Sequence, residues 1–325
     1  MSQSFSFPSV YSNHKKLLEE EYQSAVLSVS LKEAEIKKAV SQVFSMILVL
    51  KEREKLLTET DSIYSEFLKK ALIRFKAGES NALEKATAQT QKDAIYLQLK
   101  ALREEIKLAN LQFRLLLNTT RDIEPYSEQM KLQYIQADKS AVIAEHPLSR
   151  ISIQQKEIAA ANTRLEKSKM LPDLSLGYYN TSIRGTGADN IYYPGSKRFG
   201  AFSLGIGIPL FTGAQKARIN ASKLSETIAE NAYQNQVLNL GTQYNALISQ
   251  YESYLQSTDY YEKSSLKEAS VIRETANKQF INGEINYLDW VLLNNQAVII
   301  QSNYLDLIKN LNESIISLNF LSSKE

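Results

Sequence analysis

The residues best placed to do chemistry in this sequence are carboxylates that follow two glycines. Asp289 lies six residues after Gly283, and Glu84 lies six after Gly78. An acid just past a glycine stop falls in the first turn of a helix, where the partial positive charge of the N-terminus favours it. Other chemistries find little support. His14 and His146 stand far apart without metal-ligand spacing. Met46, Met130 and Met170 are scattered, as helix-filling side chains are. Gly205-Ile206-Gly207 leads into a proline and lacks the lysine of a phosphate loop, and no nucleophile motif is present. The chain has 0 cysteines, which rules out disulfides and thiolate ligands. The residues point to no enzyme, no cofactor and no metal site.

The elements that must position those carboxylates occur twice. Arg74–Gln91 and Gln279–Gln296 share Phe75/Phe280, Gly78/Gly283, Glu79/Glu284, Asn81/Asn286, Leu83/Leu288 and Gln91/Gln296 at one offset (283 − 78 = 205). Each copy reads helix, stop, helix. The glycine suits a left-handed C-cap, and the asparagine suits the N-cap of the next helix. Phe75 and Phe280, three residues before the glycines, could brace the turns. A repeat of this spacing is a duplicated large unit rather than a small solenoid module. The match extends upstream, where FSFPSVY aligns with IGIPLFT and sets Pro8 against Pro209. The expected units are residues 1–147 and 148–325, intertwined in one body. The first lacks a counterpart to Leu148–Phe199, so the sequence reads as a piece of something longer.

Low glycine (11) and proline (6) favour long helices, and a balanced charge of +2 leaves no nucleic-acid footprint. Ile36, Val40, Val43, Ile47, Leu50, Leu57, Tyr64 and Leu68 keep coiled-coil spacing along a first helix from Tyr11 to about Lys76. Leu99, Leu102, Ile106, Ala109, Phe113 and Leu116 continue it on the return. Thr119–Pro147 reads as irregular, and a third helix runs from Leu148 to Met170. One helix is expected from Thr212 to Phe280, a rod of about 100 Å at roughly 1.5 Å per residue. Its return carries Ala297, Ile300, Tyr304, Leu307, Leu311 and Leu318. No apolar run reaches the ~18 residues of a spanning helix, and MSQSFSFPSVY is not a secretory signal.

Between the helices the period changes to two. Leu174, Leu176 and Tyr178 alternate with Ser175, Gly177 and Tyr179. Phe202, Leu204, Ile206 and Ile208 alternate with Ser203, Gly205 and Gly207. One face is apolar and the other small. A lone hairpin of this kind is marginal in water, but it suits a membrane barrel with a lipid face and a lumen face. A soluble coiled-coil scaffold or adaptor would explain the heptads equally well. It leaves this hairpin, and the repeated strand-to-helix junction, without a role.

HPLSRISIQQKEIAAANTRLEKSKMLPDLSLGYYN, GIGIPLF before GAQKARI, and the F-x-x-G-E-I-N-Y-L-D tip together resemble the TolC-like outer membrane efflux protein family, and FSFPSVY resembles its heavy-metal branch. In that branch some members are C-terminal extensions of a pump. The resemblance implies a mostly α fold of long antiparallel hairpins, with a short β-hairpin in a trimeric outer-membrane barrel. It also implies a homotrimer in the outer membrane with a periplasmic helical tunnel, serving an RND-type inner-membrane pump through a periplasmic adaptor. By position, Gly78, Leu83, Gly283 and Leu288 would meet the adaptor, and Phe202, Leu204, Ile206 and Ile208 would face lipid. Asp289 would form the gate, packed by Leu288 and Trp290. Where the family pattern has a basic residue and a second acid, this chain has Ile285 and Leu292, which leaves an acidic ring without an ionic lock.

Overall fold

The computed structural model describes residues 1–135 and 138–322. In chain order it contains β1 (Ser2–Phe5), α1 (Pro8–Lys76), α2 (Ala82–Leu116), α3 (Lys139–Glu145), α4 (Pro147–Ser168), β2 (Asp173–Thr181), β3 (Gly185–Thr186), β4 (Tyr192–Tyr193), β5 (Phe199–Gly207), α5 (Gly213–Tyr260), a π-helical turn (Tyr261–Ser265), α6 (Leu266–Ile281) and α7 (Tyr287–Leu321). Among the described residues, no helix is long and apolar enough to cross a membrane.

The duplication is visible in the element boundaries themselves. Pro8 and Gly213, Lys76 and Ile281, Ala82 and Tyr287, and Leu116 and Leu321 are each 205 residues apart. The helix of the second copy therefore starts opposite Pro8 at Gly213, not at Pro209. The proline match aligns the strands instead, and the difference is taken up by coil. Two residues separate β1 from α1, against five between β5 and α5. The Thr212–Phe280 helix is also not uniform, because the π turn interrupts it. Such turns concentrate at functional sites and at local distortions.

The chain divides into two compact units, and each draws on both halves of the sequence. One comprises Met1–Leu31 and Ala144–Asn239, the other Lys32–Ile143 with Leu240 onward.

In the first unit, β1, β2 and β5 form an antiparallel sheet in the order β1-β2-β5. Phe5 pairs with Leu174 and Leu174 with Ile206, while Leu176 faces Leu204 and Tyr178 faces Phe202. The segment between β2 and β5 contains the small β3–β4 ladder. Here α4 touches both α1 and α5. Gln154 Nε2 donates to Glu20 Oε2 at 2.6 Å, and Lys156 pairs with Glu230 at 2.6 Å. His146, fully buried, accepts from Leu148 N at 3.2 Å through Nδ1 and caps α4. Burial lowers its pKa to about 4.

The second unit is a helical bundle. Val43, Ile47, Leu50 and Leu57 of α1 pack on Leu99, Leu102, Ala109 and Phe113 of α2. A second α1 face, Val49 and Leu56, meets Leu305 and Ile308 of α7. Two buried faces on one helix is bundle packing, and the single seam expected from the sequence captures only the first of them. Ile36, assigned to that seam, is exposed. The irregular stretch after Thr119 contains α3, and its residues 136 and 137 lie outside the described residues. It is pinned by Asn312, which is fully buried. Asn312 Nδ2 donates to Ser45 Oγ at 2.9 Å and to Met130 O at 2.8 Å, and its Oδ1 accepts from Leu132 N at 2.9 Å. Nearby, Lys131 Nζ donates to both carboxylate oxygens of Glu262 in the π turn, at 3.0 and 3.1 Å.

Candidate functional site

Two surfaces stand out, one in each unit. The first is the pair of hairpin turns, both in the second unit. Gly78 has φ +77° and Gly283 has φ +75°, a region only glycine enters without strain. Gly78 N donates to Phe75 O at 3.1 Å and Glu79 N to Arg74 O at 2.9 Å. Gly283 N donates to Phe280 O at 3.1 Å and Glu284 N to Gln279 O at 2.8 Å. Both are Schellman closures, which satisfy carbonyls the helix end leaves open. Asn81 Oδ1 accepts from Glu84 N at 2.9 Å, and Asn286 Oδ1 accepts from Asp289 N at 3.0 Å. The two turns are copies down to single hydrogen bonds.

Around them the chemistry diverges. Glu84 is held by Arg74 at 3.2 Å and accepts from Ser80 Oγ at 2.7 Å. Asp289 is exposed, and Gln279 stands where the first copy has Arg74. Leu83 and Leu288 occupy equivalent positions and are both exposed. A Cβ on Gly78 or Gly283 would meet nothing within 4 Å. The chain's own packing therefore asks of these glycines only their backbone angle.

Trp290 goes the other way. It is 3 % exposed, and its Nε1 donates to Asn277 Oδ1 at 2.7 Å. Phe67 stacks on Tyr287 at 4.2 Å and on Trp290 at 4.8 Å between ring centroids, and Phe280 joins them at 5.2 Å from Phe67. Tyr64 meets Trp290 edge-on at 5.5 Å and donates to Asn295 Oδ1 at 2.8 Å. Burial pushes the Tyr64 hydroxyl up to about 12. This aromatic core joins the two hairpins beneath their turns, with Ala71, Ala88 and Val291 completing it. Trp290 thus packs inside the protomer, and Leu288 and Leu292 are the exposed apolar neighbours of Asp289. Ile285 is packed against the same core. Phe75, the counterpart of Phe280, stays half-exposed beneath Lys85 Nζ, 5.0 Å from the ring centroid. Sequence identity at the two phenylalanines concealed different roles.

The second surface is the sheet. Phe202 is 87 % exposed and Leu204 76 %, with Ile206 and Ile208 also open. By the strand register, Leu174, Leu176, Tyr178 and Phe5 share this face, and all four are exposed. The opposite face carries Ser4, Ser175, Gly177, Ser203 and Gly205. Serine and glycine interlock there. A Cβ on Gly205 would lie 2.5 Å from Ser175 Oγ, and one on Gly177 would lie 2.4 Å from Ser203 Oγ. Each serine hydroxyl leans into the space that a side chain on the glycine opposite would take, so a Cβ there would require the hydroxyl to rotate away. The arrangement inverts that of a soluble sheet, whose large apolar residues turn inward.

Among the described residues, no group of three or more His, Asp or Glu could hold a metal ion. No protein-family model and no curated protein sequence matches the chain. Solved structures do. The chain superposes on the Campylobacter jejuni CmeC outer membrane channel with a TM-score of 0.84 at 15 % identity, covering 100 % of this chain and 71 % of that one. Against CusC, whose structures describe transmembrane channel formation, the TM-score is 0.84 at 16 % identity, covering 100 % and 76 %. For the outer membrane protein VceC from Vibrio cholerae it is 0.80 at 13 % identity, covering 99 % and 78 %. At these identities the likeness is one of fold. The chain has the TolC-like fold of long helical hairpins and a small antiparallel sheet.

Proposed function

We propose that this chain is a protomer of an outer-membrane exit duct, a passive conduit for substrates delivered from an inner-membrane pump. The observation that carries the reading is the sheet, whose large apolar side chains are exposed along one face while the other face carries mostly small residues at Ser4, Ser175, Gly177, Ala201, Ser203 and Gly205, with Tyr179 among them. Water disfavours such a surface by about 25 cal/mol per Å² of apolar area, and lipid does not. A likeness of fold to channel structures over 100 % of the chain supports the same reading.

In this account three protomers close one barrel, with Phe202, Leu204, Ile206 and Ile208 toward lipid. The duplicated turns form the periplasmic mouth. The docking socket for the hairpin of a periplasmic adaptor, itself bound to an RND-type pump, lies in this reading at these turns, supported by the open space at Gly78 and Gly283 and the exposure of Leu83 and Leu288. Three copies of Asp289 form a ring that favours cations at the mouth, metal cations among them. Because Ile285 replaces a basic partner, closure rests on apolar contacts such as those of Leu288.

Planar-bilayer recording on the full-length duct that contains this chain tests the proposal. A conducting pore is expected, with cation preference reduced in Asp289→Asn and no increase in open probability. A protein that disperses without detergent and never conducts would instead be a soluble scaffold.

A further inference from the structure

The loop end of the sheet carries a cluster that the duct reading does not use. Between Ser182 and Phe199 lie Arg184, Lys197 and Arg198 against a single acid, Asp189. All three basic residues are exposed, and among the described residues none of them sits in an ion pair. Asp189 accepts from Tyr193 Oη and, at 3.2 Å, from Ile191 N, and these bonds, with the nearby Lys197 charge, hold its carboxyl below the usual carboxylate range. Lys197 Nζ is held 4.4 Å from the Tyr193 ring centroid and 5.8 Å from that of Phe199. Arg184 Nε donates to Tyr192 Oη at 3.2 Å. The Tyr193 and Phe199 rings thus orient Lys197, and the Tyr192 hydroxyl orients Arg184. Ile183, Ile191 and Tyr192 stand exposed among them, the mixture of cationic, aromatic and aliphatic side chains that suits a membrane–water interface.

The position of the cluster fits that interface. Arg198 immediately precedes β5, and the strand's alternation puts position 198 on the face of Phe202, Leu204 and Ile206. From Arg198 to Ile206, at about 3.3 Å per residue, is about 26 Å. With the strand tilted by about 40°, as barrel strands are, that length rises about 20 Å, most of the ~25 Å apolar band of an outer-membrane barrel. With the apolar face in hydrocarbon, the three cations stand at headgroup level.

We infer that Arg184, Lys197 and Arg198 form a binding surface for the phosphate groups of anionic bilayer lipid, anchoring the loop end of the sheet. The inference rests on the lipid-facing reading of the sheet but concerns a separate interaction. The test is flotation of the full chain with vesicles of phosphatidylcholine alone, or of phosphatidylcholine with phosphatidylglycerol. Tighter association with the anionic vesicles is expected, falling about five-fold for each of Arg184→Gln, Lys197→Gln and Arg198→Gln, and about a hundred-fold for the three together. Binding to neutral vesicles should not change. The variant K100Q/K107Q/K267Q removes the same charge from exposed helix surface and should bind as the native chain does. Equal binding of the native chain to both vesicles overturns the inference and leaves the duct reading intact. An equal loss in the helix variant overturns it as well, since net charge would then suffice. Inorganic phosphate that displaces the anionic vesicles at constant ionic strength overturns it in favour of a free-anion site. Binding to neither vesicle overturns both readings.

Discussion

Gly205 and Ser175 face each other across the β2–β5 pair so closely that a Cβ on the glycine would stand 2.5 Å from the serine Oγ. Gly177 and Ser203 repeat the relationship at 2.4 Å. The small face is therefore packed against itself, while its large partners are left open on the other side. Gly205→Val should require the Ser175 hydroxyl to rotate away and should lower the yield of folded protein in membranes, whereas Ile206→Val should leave it unchanged. In the membrane, Ile206→Arg should cost roughly 2–4 kcal/mol if it lies near the midplane. Reversible unfolding from lipid vesicles measures both, and equal tolerance of the two glycine-site and lipid-face changes would remove the case for two distinct faces.

At the turns, the geometry separates folding from docking. Gly283 needs its φ of +75° but has no neighbour within 4 Å of a Cβ. Asparagine tolerates that angle far better than a β-branched residue does. Gly283→Asn should keep the native helix content, while Gly283→Val should lose roughly 1–3 kcal/mol to backbone strain. If the turn is a socket, Gly283→Asn and Leu288→Asp should both lose cross-linking to the adaptor despite a native fold. Native cross-linking in both variants would move the docking site elsewhere.

Asn312, itself fully buried, makes three hydrogen bonds, to Ser45, Met130 and Leu132. Asn312→Leu would leave the part-buried Met130 carbonyl and Leu132 amide without this partner, at about 1 kcal/mol for each. The expected signature is local. Limited proteolysis should cut the native chain slowly between Thr119 and Ile135 and the variant at least ten-fold faster. Unchanged cleavage would show that Lys131 and Glu262 hold the segment by themselves.

His146 makes stability depend on pH. Its folded pKa of about 4 lies below the ordinary value of 6.5, so between those values the unfolded chain binds a proton that the folded chain does not. Stability is undiminished above pH 6.5, falls as the pH drops below it, and has lost roughly 3 kcal/mol once the pH is below about 4. His146→Asn keeps an acceptor for Leu148 N without titrating. The difference in denaturation midpoint between pH 7.5 and pH 4.5 should shrink in that variant, and an identical difference would assign the acid sensitivity to other groups.

What the sequence revealed follows from where its signals are local. Gly78, Asn81, Gly283 and Asn286 mark turns through bonds to residues a few positions away, so their types report their geometry. The alternation at 202–208 reports a two-faced strand for the same reason. The duplication sharpened both readings, although Pro8 and Pro209 mark the ends of equivalent strands rather than the starts of equivalent helices. Long-range partners left no such trace. Nothing near Asn312 in sequence announces Ser45, and Trp290 reads like any residue beside a gate until Phe67 and Tyr287 are stacked on it. The π turn at Tyr261–Ser265 interrupts a periodicity that looks continuous, because its consequence is contact between Glu262 and a distant lysine.

The central claim, that one face of the sheet meets lipid and the other lines an aqueous lumen, can be read residue by residue because the chain has 0 native cysteines. Single cysteines at Phe202, Leu204 and Ile206, and at Ser175 and Ser203, should be labelled in membranes with a charged, water-soluble thiol reagent and with an environment-sensitive fluorophore. The account predicts slow aqueous labelling and blue-shifted emission at the first three positions, with fast labelling at the two serine positions. Equal aqueous access to both sets would contradict it.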